Sequence, residues 1–133
     1  MTTPIKVLLA EDDADDRGFF QAFLEDRAAL HILPPVENGV ELIDTLDRMA
    51  DENLLPDAII LDQNMPKRNG LHTLQYLKAS PRYANIPVMV YSTYADDRLV
   101  TAGLASGASL VLSKPSDKAG YHNLIDELFR VMG

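Results

Sequence analysis

The stretch Pro56–Gly70, PDAIILDQNMPKRNG, decides how the rest of the chain is read. Ala58 to Leu61 form an unbroken apolar run too short for a helix, Pro56 and Asp57 punctuate its start, and Asp62 arrives where the run ends. The segment reads as a buried strand that delivers one carboxylate at its carboxyl end. Met65-Pro66 and Asn69-Gly70 then close it as a turn-rich loop, because proline fixes its own φ and glycine tolerates positive φ. A helix is expected after Gly70.

Working outward, Ile5 to Ala10 is a second short apolar run, bounded by Pro4 and by Glu11, Asp12 and Asp13, and fits a strand buried on both faces. Asp13, Asp15 and Asp16 open a helix bearing Phe19, Phe20, Phe23 and Leu24. Acids in a first turn suit the helix dipole, so these three need no functional explanation. Leu30 to Val36 reads as a strand, placed at a sheet edge by Pro34 and Pro35, which cannot donate ladder hydrogen bonds; Asn38-Gly39 ends it. Val40 to Ala50 has helical spacing.

Beyond the quoted stretch, Leu71, Leu74 and Leu77 mark a helix stopped by Ser80-Pro81. Ile86 to Tyr91 is a strand ending at Ser92 and Thr93, Asp96 to Ser106 a weaker helix interrupted by Gly103, and Ser109 to Ser113 a fifth strand. Lys114-Pro115 follows. Tyr121, Leu124, Ile125, Leu128, Phe129 and Met132 then make the clearest amphipathic helix. Strands alternating with helices predict an α/β fold with a doubly wound, five-stranded parallel sheet. Edge placement of the second strand favours the order 2-1-3-4-5.

The composition narrows the class. At 133 residues and 47% hydrophobic content the chain makes one domain, residues 1–133. No apolar run approaches the roughly 20 residues that span a bilayer, and the amino terminus lacks a signal-peptide layout, so no membrane and a cytoplasmic location are expected. Zero cysteines exclude thiol chemistry and cysteine-bound metal, and His31, His72 and His122 are too scattered for a zinc site. A net charge of −8 argues against nucleic acid.

Ligands of open α/β sheets bind beyond the carboxyl ends of the strands, and the predicted ends carry Glu11 and Asp12, Asp62, Ser92 and Lys114. Neighbouring carboxylates at about 4 Å and an effective dielectric near 20 repel by about 4 kcal/mol, so positive charge must offset them. Lys114 supplies one. A divalent cation held by hard oxygens, with no histidine or cysteine, points to Mg2+. Asp62 is the candidate nucleophile toward a phosphoryl group, needing no general base because a carboxylate is ordinarily ionised at neutral pH.

These residues resemble the receiver domain of two-component response regulators over nearly the whole chain: Glu11-Asp12, Asp62 to Pro66 with Asn69-Gly70, Ser92 and Lys114-Pro115. The resemblance implies a flavodoxin-like receiver fold with Asp62 as phosphoacceptor. It further implies Mg2+ bound by Asp12, Asp62 and the backbone carbonyl of Asn64, with Glu11 contributing directly or through water, and Ser92 and Lys114 contacting the phosphoryl group. The implied partners are a sensor histidine kinase or histidine phosphotransfer protein and a downstream protein. The fourth helix, fifth strand and fifth helix are the family's usual homodimer face.

The Glu11-Asp12-Asp13 opening, Pro66-Lys67 and the absence of an output domain are similar to small stand-alone regulators, including those that partner bacterial phytochromes. Such a chain is a signalling domain, not an enzyme, catalysing only its own phosphorylation and dephosphorylation. A cis Lys114-Pro115 peptide bond is also usual there. The departure is Val111, three residues before Lys114, where the family commonly has a tyrosine or phenylalanine that changes rotamer with the switch hydroxyl; Tyr91 and Tyr94, which flank Ser92-Thr93, are the candidates to serve instead, with packed or surface roles favoured for both. Two other readings compete: a receiver-like interaction module independent of phosphorylation, and an aspartate-nucleophile phosphatase, which would want an aspartate where Asn64 stands.

Overall fold

The computed structural model describes residues 3–133; Met1 and Thr2, the first residues of the expected domain, lie outside it. The three most apolar runs become β1 (Ile5–Ala10), β3 (Ala58–Asp62) and β4 (Val88–Ser92), and every residue of β3 and β4 is buried. With β2 (Leu30–Ile32) and β5 (Leu110–Ser113) they form one parallel sheet in the order β2-β1-β3-β4-β5. Burial on both faces is why these strands read as continuous hydrophobic runs.

Successive side chains point to opposite faces, so each strand feeds two cores. Leu8, Ile59, Leu61, Val88 and Val90 meet α2 (Gly39–Asp51) and α3 (Gly70–Ala79) through Leu42, Leu46, Leu74 and Leu77. On the other face Val7, Leu9, Ile60, Met89 and Tyr91 meet α1 (Ala14–Leu24) and α5 (Lys118–Met132) through Phe20, Leu24, Tyr121, Ile125 and Leu128. The fourth helix, α4 (Asp97–Ala105), covers the β5 end on the first face; there Val111 Cγ2 stands 2.5 Å from where a Cβ at Gly103 would lie. Close packing is thus the reason for that glycine.

Four local expectations change. The predicted strand Leu30 to Val36 is broken after Ile32, because Pro34 and Pro35 have no N–H to give, and Val36 rejoins only as an isolated bridge to Ala10. Asn38 and Asn69 begin helices instead of merely ending what precedes them: each side chain accepts from a backbone N–H three residues on, as do Asp13, Asp96 and Asp117. The positive φ in the loop after β3 belongs to Lys67 (64°), whereas Gly70 is needed because a Cβ there would lie 2.8 Å from the Asp62 carbonyl oxygen. That close approach sets α3 directly on the end of β3. No cis peptide bond occurs among the described residues, so the Lys114-Pro115 bond is trans, against expectation.

Candidate functional site

Parallel strands present all their carboxyl ends at one rim. Site residues carried by different strands, far apart in sequence, therefore meet there because of strand order. Oxygens of Glu11, Asp12 and Asp62 lie within 4.8 Å of one another, two of these residues buried and Asp12 exposed. Lys114, carried by the end of β5, places its Nζ 3.0 Å from Glu11 Oε1 and 3.4 Å from Asp62 Oδ1. Ser92 ends β4 one residue past Tyr91, the register partner of Asp62, and its carbonyl accepts the Lys114 N–H at 2.7 Å. No histidine belongs to the acid cluster.

Asp62 is 1% exposed. Its Oδ1 accepts the Asn64 N–H at 3.2 Å, while Oδ2 is buried with no partner. Burial first, then the neighbouring carboxylates of Glu11 and Asp12, push its carboxyl from an ordinary 3.8 up to about 8, against the opposing pull of Lys114. The direction runs against the expectation of a carboxylate ionised at neutral pH: burial and the neighbouring acids favour the protonated carboxyl, and a cation held here would favour the ionised one. An orphaned buried oxygen beside two further carboxylates suits a hard divalent ion. The residues present fit such an ion.

Three contributors escaped the sequence reading. Asp16, assigned only to the helix dipole, accepts from Lys114 Nζ at 2.8 Å. Burial alone would lower the Lys114 ammonium, but Asp16 and Glu11 outweigh it and hold the group above its ordinary value. Arg17 Nη1 donates to the carbonyls of Glu11 (2.8 Å) and Asp12 (3.0 Å), pinning the acidic loop, and its Nη2 pairs with Glu37 at 3.3 Å. The Tyr91 hydroxyl, wholly buried, donates to Glu11 Oε1 at 2.5 Å.

On the α4 side the rim opens into a cavity of about 530 Å3 lined by Gln63, Asn64, Ser92, Thr93, Tyr94 and Leu99, among others. Tyr94 is 76% exposed, the surface role favoured for it, and Tyr91 is packed but also bonded to the site. Val111 is buried beneath α4, so no aromatic stands at that position to move. Gln63 Oε1 accepts the Leu71 N–H at 2.9 Å and fastens the loop to the start of α3.

Comparison with known proteins agrees with this arrangement. Chemotaxis protein CheY1 of Helicobacter pylori is 30% identical over 111 residues, covering 84% of this chain and 86% of its own. Among solved structures, the Mn(2+)-bound form of response regulator Rcp1 superposes with a TM-score of 0.75 at 29% identity, covering 98% of this chain and 91% of that one. The phosphorylated cyanobacterial phytochrome response regulator RcpA shares the fold, with a TM-score of 0.82 at 24% identity over 95% and 91%. Several curated relatives are longer, and the chain spans 55% of a Bacillus subtilis transcriptional regulatory protein and 32% of a Myxococcus xanthus protein-glutamate methylesterase. Residues 7–126 match the family model for the response regulator receiver domain. With that match running from β1 into α5, the chain belongs to the response regulator receiver domain family.

Proposed function

We propose that the chain is a phosphoacceptor switch: Asp62 takes a phosphoryl group from a phosphohistidine of a sensor histidine kinase or histidine phosphotransfer protein, and the modified chain presents a changed surface to a downstream protein. The observation that carries this is the buried Asp62 carboxyl, one oxygen without a partner and the other 3.4 Å from Lys114 Nζ. A carboxylate oxygen of Asp62 forms a bond to phosphorus as the bond from phosphorus to the donor imidazole nitrogen breaks. The electron pair leaves with the imidazole, which regains its proton from water. Lys114 and the Ser92 hydroxyl bind the phosphoryl oxygens.

Glu11, Asp12, Asp62 and the backbone carbonyl of Asn64 would hold Mg2+, which when bound supplies positive charge to the acids and to the phosphoryl oxygens. The existence of an Mn(2+)-bound form of Rcp1 supports divalent-ion binding by this chain. The chain is a cytoplasmic signalling domain that catalyses only its own phosphorylation and dephosphorylation; no helix among the described residues is long and apolar enough to cross a membrane. A bacterial phytochrome kinase is the proposed donor, supported by the Glu11-Asp12-Asp13 opening and Pro66-Lys67. Homodimerisation would use α4, β5 and α5, where Leu104 is half exposed.

Incubation with acetyl phosphate and Mg2+ tests the reading. Intact mass should rise by one phosphoryl group in the wild type and stay fixed in Asp62→Asn. An unmodified wild-type chain would favour a phosphorylation-independent module.

A further inference from the structure

We infer that the Tyr91 hydroxyl is a positioning group for the Glu11 carboxylate, holding it in place for a divalent cation. This rests on the cation site proposed above. Glu11 is 0% exposed, and a buried carboxylate must be met by donors. Its Oε2 accepts the Asp13 N–H at 3.1 Å, while Oε1 accepts from Lys114 Nζ at 3.0 Å and from the Tyr91 hydroxyl at 2.5 Å. Lys114 is shared among Glu11, Asp16 and Asp62. Once it turns toward a phosphoryl group, Tyr91 is the side-chain donor left to pin Glu11.

Strand register gives Tyr91 this reach. It pairs with Asp62 across β3 and β4, its side chain lies on the α1 and α5 face, and its ring centroid is 5.1 Å from Lys114 Nζ. A phenol is protonated at neutral pH, so the hydroxyl is a donor to Glu11. The hydroxyl therefore acts on Glu11 and the ring on Lys114, and Tyr91→Phe separates the two. Groups that orient a metal-binding carboxylate commonly change metal affinity by about 10 to 100-fold when removed.

The test is a calorimetric titration of the full chain with MgCl2, alongside the near-ultraviolet tyrosine difference spectrum that Mg2+ induces. The chain has no tryptophan to mask that spectrum. Wild type should bind Mg2+ and show the spectrum. Tyr91→Phe should bind about tenfold or more weakly, lose the spectrum, and recover acetyl phosphate labelling at saturating Mg2+ because the ring under Lys114 is kept. Unchanged affinity in Tyr91→Phe, or a spectrum that survives the substitution, overturns the inference while leaving the cation site standing. So does wild type that binds Mg2+ with no tyrosine signal, an outcome needing no variant to fold. Wild type that binds no Mg2+ removes the cation site itself and the inference with it.

Discussion

At the scale of single residues, the decisive feature is a carboxyl that the fold makes difficult to ionise. The folded chain holds Asp62 up to about 8 while the unfolded chain leaves it at its ordinary 3.8, so folding without a cation takes up a proton between those values. The stabilisation from that proton is fully present below pH 4 and is lost as pH rises through 8. In urea denaturation with a chelator, wild type should lose stability relative to Asp62→Asn across this window, by up to about 1.4 kcal/mol per pH unit. Parallel curves for the two proteins would contradict it. Asp62, Glu11, Asp12 and Lys114 were legible because each ends an apolar run. Asp16 and Tyr91 were not, since their partners stand 98 and 80 residues away and only strand order brings them close.

At the scale of elements, helix caps and glycines place the rim. β1 and β3 are legible in the sequence nearly to the residue, because strands buried on both faces must be apolar throughout, while β4 starts at Val88, two residues later than the apolar run from Ile86 implied. The sequence overextends β2, where a mildly apolar run conceals that two prolines cannot hold a ladder, and it reads Asn69-Gly70 as a turn where the asparagine caps α3 and the glycine admits the end of β3. The contact of α4 with β5 makes a further prediction. A Cβ at position 103 would stand 2.5 Å from Val111 Cγ2, so Gly103→Ala should cost about 1 to 3 kcal/mol in denaturant despite alanine's better helix propensity. Val111→Ala in the same chain should recover part of that loss, a coupling of at least about 0.5 kcal/mol in a double-mutant cycle. Additive costs would show that the two residues do not press on each other.

At the scale of the whole molecule, a parallel sheet of order 2-1-3-4-5 gathers one end of every strand and so builds a site from residues that share no local motif. The fold class and that order were readable from the chain alone, because alternation of strands with helices and a proline-bearing edge leave few topologies. The acid excess at the rim, Glu11, Asp12, Asp16 and Asp62 against Lys114, is a repulsion that the fold sustains and that a cation and a phosphoryl group would use together. The most direct measurement is borohydride reduction after incubation with acetyl phosphate and Mg2+, which converts an aspartyl phosphate to homoserine, followed by mass spectrometry of the peptides. The account predicts homoserine at position 62 only when Mg2+ is present; homoserine at another position, or none at all, would contradict it.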